Sequence, residues 1–312
     1  MTLERAPQPS IQGELLRDEP MARHTSFRIG GPADLLILPA CEDDVVEAIR
    51  WAAASRMPVT VLGNGTNVLV SDLGIRGVTL LIGRSLASIE IHREELRAGC
   101  GAPLMKVAFR AARAGLTGME FAEGIPGTLG GAIFMNAGTL LGEVKDCMVD
   151  VRAVTRGGEV VTRTAAELGM AYRASRLCET RDVLLSARFL LRPASADEVQ
   201  ATMARMRERR HRTQPHWDRS AGCVFKNPGA GLSAGRLLDE AGAKGMSVGG
   251  AVVSDRHANF VVNAGAATAQ DVVTLMGTMR ELVRERDGSV LAPEIEFVGE
   301  WPEPPLGAGD TE

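Results

Sequence analysis

The sequence predicts an α+β protein made of three mixed helix-and-strand regions. A β-α-β pattern comes first, a helix followed by a hairpin comes second, and long helices with short strands come third. The 312 residues suffice for two or three compact units, since domains usually contain about 100–200 residues. We expect an N-terminal arm at 1–20, two related regions at 21–83 and 84–194, a third region at 195–299, and a C-terminal tail at 300–312.

Composition and charge restrict the class of protein. Apolar residues make up 45% of the chain and charged residues 24%, which is typical of a globular protein with a packed core. The net charge of −4 and the aromatic content of 4% argue against nucleic-acid binding, which needs a basic surface or stacking platforms. The polar N-terminus has no apolar signal segment, and no apolar run is long enough for a membrane span. We expect a cytoplasmic protein without membrane insertion, and a monomer.

The cysteines favour a reducing compartment. Their number is odd and no two of them form a C-x-x-C pair, which argues against a disulfide framework and against a zinc ribbon. They are Cys41, Cys100, Cys147, Cys178 and Cys223. We expect no metal site.

In the first region, strands alternate with one helix. The turn-forming stretch 25–33 leads into the apolar run 34–38, which is typical of a short strand. Residues 42–55 carry acids in the first turn and apolar residues at helical spacing, so they predict a helix that ends before Pro58. Further strands are expected at 59–62, 68–70 and 78–82.

The second and third regions differ in their balance of helix and strand. For the second we expect strands at 89–91, 95–98, 149–155, 160–162 and 183–191, and a helix at 103–114. For the third we expect helices at 197–213, 233–241 and 268–286, and strands at 251–254 and 258–263. The helix 197–213 is strongly basic, and it is either a solvated surface or a site that recognises a phosphorylated ligand.

The glycine-rich stretch 122–138, AEGIPGTLGGAIFMNAG, is the most unusual segment of the chain. It holds five glycines, a single charged residue (Glu123), and no lysine or arginine. Such a segment can present bare N–H groups to a diphosphate, helped by the N-terminal end of a following helix. A tightly packed turn that needs no ligand explains the same composition, so composition leaves both readings open.

A second glycine-rich stretch, 63–67 (GNGTN), follows a predicted strand. This order suits phosphate capture by main-chain amides. Val68 breaks the dinucleotide fingerprint G-x-G-x-x-G, and the chain contains no G-x-x-x-x-G-K-[ST] motif, which disfavours a nucleotide triphosphatase. Two uncharged glycine-rich stretches about sixty residues apart together predict a large ligand with a diphosphate at its centre.

Three other stretches could carry chemistry. Arg173, beside Tyr172, is either a surface residue or a guanidinium that polarises a carboxylate or carbonyl oxygen. Cys223 is either a buried thiol or, if it is partly exposed, a proton donor, since the pKa of a free thiol is about 8.5. In a strand at 291–299, Glu294 and Glu296 would share one face, as a catalytic acid or as solvated carboxylates.

Motifs from all of these stretches occur in one order along the chain. They are R-I-G-G-P-A, G-N-G-T-N, G-I-P-G-T-L-G-G-A-x-x-M-N-A-G, Y-R-x-S, G-C-V-F-K-N-P, H-A-N-F and P-E-I-x-F-V-G. The set resembles the UDP-N-acetylenolpyruvoylglucosamine reductase family, flavoenzymes that make UDP-N-acetylmuramate for bacterial peptidoglycan. The resemblance extends from Thr25 to Gly299, and the long glycine motif together with G-x-x-F-K-N-P makes it specific.

The resemblance implies a cofactor, a reductant and a substrate. It implies an FAD-binding half of the vanillyl-alcohol-oxidase type, made of 21–83 and 84–194, with non-covalent FAD. It further implies a UDP-sugar domain at 195–299 and NADPH as co-substrate. Its FAD residues are Arg28, Gly63, Asn64, Gly65, Thr66, Asn67, Gly127, Thr128, Gly130, Gly131, Asn136, Ala137 and Gly138, the last three facing the isoalloxazine. Its substrate residues are Tyr172, Lys226, Asn227, His257 and Asn259.

The resemblance also implies the catalytic residues. Flavin N5 would pass a hydride to C3 of the enolpyruvyl group, while Arg173 and Glu294 hold and polarise the carboxylate. Cys223 would protonate C2; the usual donor in the family is a serine, and a thiol is the stronger acid. The interval from Arg173 to Cys223 is fifty residues long. In this respect the chain resembles the shorter class of family members, which lacks an added substrate-covering loop.

Two alternatives remain at this point. An FAD-dependent sugar or lactone oxidase of the same flavin fold would explain the glycine-rich stretches, but not G-C-V-F-K-N-P or P-E-I-E-F-V-G. A non-catalytic flavin- or nucleotide-binding module would need no aligned arginine, thiol and carboxylate. NADPH consumption on addition of the UDP-sugar separates both from the reductase.

Overall fold

The structure, a computed structural model, describes residues 8–215, 218–229 and 231–306. The described chain divides into two compact units. The large unit contains 8–17, Leu35–Asn64 and Gly77–Arg209. The small unit contains Asp18–Asp34, Gly65–Arg76 and the described residues from Arg210 onward.

The described chain contains both strands and helices along its whole length. The strands are β1 (Glu14–Pro20), β2 (Pro32–Leu38), β3 (Val59–Leu62), β4 (Val68–Val70), β5 (Ile75–Leu81), β6 (Ile89–His92), β7 (Glu95–Gly99), β8 (Leu116–Thr117), β9 (Gly138–Thr139), β10 (Gly142–Glu143), β11 (Met148–Val154), β12 (Val160–Thr164), β13 (Val183–Leu190), β14 (Arg192–Pro193), β15 (Ser247–Val248), β16 (Ala251–Val253), β17 (Val261–Asn263) and β18 (Glu296–Val298). The helices are α1 (Glu42–Ala54), α2 (Leu104–Arg113), α3 (Leu129–Phe134), α4 (Leu177–Thr180), α5 (Ala196–Thr213), α6 (Ala234–Glu240) and α7 (Ala269–Asp287).

An antiparallel sheet of order β12-β11-β13-β7-β6 forms the frame of the large unit. Its central strand β13 pairs with β7 in the register Ser186↔Gly99. Helix α2 packs on the core of this unit because Leu104, Val107 and Ala111 recur at helical spacing and are buried. Helix α5 contributes Val199 and Met203 to the same core, in agreement with its amphipathic sequence.

A second sheet has the order β1-β2-β5-β3, in which β3 and β5 run parallel. Helix α1 buries Val45, Ala48 and Ile49 against apolar residues of these strands, including Ile37 and Val78. This is the β-α-β arrangement that the first region predicts.

The small unit is built around a small antiparallel sheet of order β15-β16-β17 with helices α6 and α7. Strand β18 pairs in parallel with β4 in the register Phe297↔Leu69. A capping box between Thr268 and Asp271 starts α7, and Gly288, in the left-handed conformation with φ +80°, ends it.

Several elements differ from the sequence-based expectations. Strand β1 lies in the stretch expected to be an arm, and it is not predicted because its residues ELLRDEP do not alternate in polarity. Helix α3 lies inside the glycine-rich stretch, where glycine lowers helix propensity. The stretch predicted to be a C-terminal tail is partly packed, since Trp301 and Leu306 contact the core of the small unit. Residues 307–312 of that tail lie outside the described residues.

Candidate active site

The two glycine-rich stretches meet inside the large unit. A Cβ atom placed on Gly63 would collide with the Thr128 hydroxyl, so only glycine allows this approach. Thr128 also caps helix α3, since its Oγ1 accepts a hydrogen bond from the Gly131 N–H at 3.3 Å. The sequence places these stretches about sixty residues apart, and the fold makes them neighbours.

The amides at the start of α3 are already bonded within the protein. Leu129 N–H donates to the Ala102 carbonyl and Gly130 N–H to the Cys100 carbonyl, both at 2.8 Å. The expectation of bare N–H groups at this helix end is therefore wrong for Gly130. A Cβ atom on Gly130 would lie 3.1 Å from the Cys100 Cβ, so close packing explains this glycine.

The one charge of the glycine-rich stretch is paired. The buried Glu123 carboxylate accepts a hydrogen bond from Arg207 Nε of helix α5 at 2.8 Å. This bond and the carboxylate charge raise the pKa of Arg207. One arginine of the basic helix thus has a structural partner, which the sequence does not predict because Glu123 and Arg207 are 84 residues apart. The sequence features that agree with this ion pair are a lone carboxylate in the glycine-rich stretch and an excess of arginine in the basic helix.

Asn136 is completely buried and bonded at both ends of its side-chain amide. Its Nδ2 donates to the Ala171 carbonyl at 3.0 Å, and its Oδ1 accepts from the Lys145 N–H at 3.0 Å. Its backbone has φ +44°, a left-handed conformation that asparagine tolerates better than most residues. Residues 136–138 are predicted to face the isoalloxazine, and within this stretch the polar side-chain atoms of Asn136 bond to the protein backbone.

Tyr172 and Arg173 form the tip of a two-residue hairpin. At its base Ala171 and Ala174 exchange backbone hydrogen bonds of 3.0 and 3.2 Å. Arg173 has φ +53° and donates from Nη2 to the Gly138 carbonyl at 3.2 Å. Its guanidinium carbon lies 5.1 Å from the ring centroid of Tyr172, a cation–π contact. The tip therefore lies on the 134–138 segment of the glycine-rich stretch.

Cys223 lies on an extended segment of the small unit that is held by backbone bonds on both sides. Isolated bridges join Cys223 to Phe260 and Phe225 to Pro293. Glu294 N–H donates to the Val224 carbonyl at 2.8 Å. The segments that carry Cys223 and Glu294 are therefore adjacent. Glu294 lies outside strand β18, which begins at Glu296, so the strand expected at 291–299 is shorter than predicted.

The H-A-N-F motif supports this segment from behind. Asn259 Oδ1 accepts from the Phe225 N–H at 3.0 Å, and Nδ2 donates to the Phe225 carbonyl at 2.8 Å. The resemblance implies that Asn259 contacts the substrate; in the structure its side chain is buried and both of its polar atoms bond to the backbone of Phe225. His257 Nδ1 accepts from the Asn259 N–H at 3.2 Å, and burial, with the charge of Lys244, lowers the pKa of His257.

The remaining candidates are spread over the small unit. Asn227 is exposed and its Oδ1 accepts from the Ala234 N–H at the start of α6, at 3.0 Å. Asn67 Nδ2 donates to the Glu294 carbonyl at 3.1 Å, a contact that the sequence analysis did not anticipate. Arg28, with φ +57°, is exposed on its turn and donates to the Arg23 carbonyl at 3.0 Å. Lys226 is half-buried.

The cysteines differ in their capacity to act as acids. Burial, reinforced by nearby carboxylates, raises the pKa of Cys147 to about 12, and burial raises that of Cys100 further. Cys223 is partly exposed. Within the described ranges, no group of His, Cys, Asp and Glu side chains is arranged to hold a metal ion. The described helices also include none with the length and apolar character of a membrane span.

Comparison with known proteins gives matches to both halves of the chain. The model of the FAD binding domain matches residues 33–164. The model of the C-terminal domain of UDP-N-acetylenolpyruvoylglucosamine reductase matches residues 214–298.

Relatives of known name cover almost the whole chain. The UDP-N-acetylenolpyruvoylglucosamine reductase of Agathobacter rectalis is 46% identical and is aligned over 92% of this chain and 95% of its own. That of Phenylobacterium zucineum is 44% identical over 93% of this chain and 97% of its own. The crystal structure of the reductase from Thermus caldophilus has a TM-score of 0.79 at 35% identity, over 92% of this chain and 99% of that one.

Proposed function

This chain belongs to the UDP-N-acetylenolpyruvoylglucosamine reductase family, and we propose that it reduces UDP-N-acetylglucosamine enolpyruvate to UDP-N-acetylmuramate in peptidoglycan synthesis. The observation that carries the proposal is the match of named reductases over more than nine-tenths of the chain. The predicted family and the predicted α+β class, with an FAD-binding part before a distinct C-terminal domain, are thereby confirmed.

FAD is the cofactor, in agreement with the FAD binding domain matched at 33–164. The residues present fit a diphosphate: 63–67 contain no carboxylate, Asn64 is exposed, and Glu123 is neutralised by Arg207. We assign FAD contacts to Arg28, Gly63, Asn64, Gly65, Thr66, Asn67, Gly127, Thr128, Gly131, Ala137 and Gly138. When bound at these residues, FAD would supply the hydride transfer from NADPH to C3 of the enolpyruvyl group.

We assign to Arg173 and Glu294 the stabilisation of the charge that develops towards the substrate carboxylate. Such pre-oriented groups are worth several kcal/mol in general. Arg173 suits the role because its guanidinium is oriented by Gly138 and by the Tyr172 ring. Glu294 suits it because its backbone is held by Val224 and Asn67.

We assign to Cys223 the proton that completes the reaction at C2. The hydride forms one new C–H bond at C3, the S–H proton forms the other at C2, and solvent reprotonates the thiolate. The backbone bridge to Phe260 fixes the position of the cysteine. Tyr172, Lys226, Asn227 and His257 remain candidates for substrate contact. We propose that the protein acts as a cytoplasmic monomer.

Coupled consumption of NADPH tests this function. NADPH oxidation by the FAD-loaded protein should depend on UDP-N-acetylglucosamine enolpyruvate, and mass spectrometry should show a product heavier by two hydrogen atoms. Oxygen consumption with a sugar or lactone, and no dependence on the enolpyruvyl compound, would instead identify an oxidase.

A further inference from the structure

We propose that Asn136 is a positioning residue for Arg173, a role that rests on the function proposed above. The side chain of Asn136 is fully buried and both of its polar atoms bond to the protein backbone. What it holds is Ala171, the residue at the base of the hairpin that carries Arg173 at its tip.

The hairpin is joined to 134–138 by side-chain bonds at successive points. Ser175 Oγ donates to the Phe134 carbonyl at 2.5 Å on one side of the tip. Asn136 Nδ2 reaches the Ala171 carbonyl at 3.0 Å on the other side. Arg173 itself donates to the Gly138 carbonyl at 3.2 Å. The two base contacts together set the angle at which the tip leaves the 134–138 segment.

The backbone of the tip makes this support necessary. Arg173 has φ +53°, a conformation that residues with a Cβ atom adopt rarely. The Ala171 carbonyl accepts both the Ala174 N–H and Asn136 Nδ2, so Asn136 reinforces the bond that closes the turn. Without it, the turn would relax towards a more common φ and the guanidinium would change direction.

The Asn136→Asp variant breaks this one contact. Aspartate keeps the size of the side chain, tolerates the left-handed backbone, and retains an oxygen for the Lys145 N–H. It replaces the amide donor that faces the Ala171 carbonyl with an acceptor. Because a misplacement of about 1 Å costs about 100-fold in rate, we expect reoxidation of the reduced enzyme by the enolpyruvyl substrate to slow by about 10- to 100-fold. Reduction by NADPH should stay unchanged.

Two readouts distinguish positioning from a general loss of structure. In the Arg173→Ala background, Asn136→Asp should cause no further loss of the reoxidation rate, since coupled residues are not additive. Hydrogen exchange in the cofactor-free protein should become faster at the Ala174 amide, whose acceptor is Ala171. Asp44→Asn is the matched control, because Asp44 is also buried in the large unit and accepts hydrogen bonds from several backbone N–H groups. The effects of Asp44→Asn and Arg173→Ala on stability should add.

Ser175→Ala keeps the proposal testable if Asn136→Asp does not fold. It removes the other base contact and should slow reoxidation selectively, with NADPH reduction unchanged. The proposal is overturned if either folded variant reoxidises at the wild-type rate, slows both half-reactions equally, or adds to Arg173→Ala. Failure of the wild-type enzyme to be reoxidised by the enolpyruvyl substrate would overturn the proposed function instead.

Discussion

The hairpin around Arg173 and the segment around Cys223 are held in different ways. Arg173 lies at a tip with positive φ, and side chains of Asn136 and Ser175 hold its base. Cys223 lies on extended backbone with bridges on both sides, reinforced by Asn259. Loss of the Asn136 or Ser175 side chain should therefore reorient Arg173, whereas loss of the Asn259 side chain should destabilise the fold around Cys223.

The largest effect is expected where the chemistry itself is removed. Cys223→Ala should lower turnover by about 10²- to 10⁴-fold, the usual contribution of a general acid, because the backbone bonds of the segment stay intact and only the proposed proton donor is lost. Stopped-flow measurement should show unchanged reduction by NADPH. Cys223→Ser is the control and should retain activity, since a hydroxyl is the usual donor in the family; normal turnover of the alanine variant would refute the assignment.

The next effect concerns the support behind Cys223. Asn259→Ala should lower the free energy of unfolding by about 2–4 kcal/mol, because the buried N–H and carbonyl of Phe225 lose their partners. Urea denaturation measures this change. Asn227→Ala, which removes one bond at an exposed residue, should cost less than about 1 kcal/mol. Equal effects of the two variants would mean that Asn259 does not stabilise this segment.

A pH-dependent effect is expected for Asp44 of the large unit, whose carboxylate accepts hydrogen bonds from backbone N–H groups. Burial opposes ionisation of Asp44, but the N–H groups of Gln12, Ala40 and Gly13 outweigh it and lower the pKa of Asp44 below its ordinary 3.8. The stabilisation is thus present above about pH 4 and is lost as the pH falls through the folded-state pKa. Asp44→Asn should lower the free energy of unfolding by about 1–3 kcal/mol at neutral pH. It should also make that free energy fall less steeply as the pH drops into the acid range. An unchanged acid limb in thermal melts would contradict this.

The smallest effect is expected at the surface end of an ion pair. Arg207→Ala should cost about 1 kcal/mol, because Glu123 is buried but Arg207 is about half exposed and solvent screens the pair. Arg205→Ala is the matched control on the same helix: Arg205 is exposed and bonds to Thr202 of its own helix. Thermal melts should show a shift for Arg207→Ala alone, and equal midpoints would show that the pair adds no stability.

The sequence predicted helices α1, α2, α5 and α7 to within one residue at each end, and α1, α2 and α7 each bury a row of apolar residues at helical spacing. The same patterns could not predict the side-chain contacts that join segments distant in the sequence. Asn136 and Ala171 are 35 residues apart, and Glu123 and Arg207 are 84 apart. These contacts arise from tertiary packing, so the sequence did not show that Asn136 and Asn259, which the resemblance names for ligand contact, bond to the backbone of distant segments.

An anaerobic single turnover tests the central claim most directly. FAD-loaded protein is mixed with NADPH without oxygen, and the flavin absorbance should bleach. Addition of UDP-N-acetylglucosamine enolpyruvate should then restore the absorbance with formation of UDP-N-acetylmuramate. A flavin that NADPH does not reduce, or that stays bleached with the enolpyruvyl compound until oxygen is admitted, would contradict the reductase function.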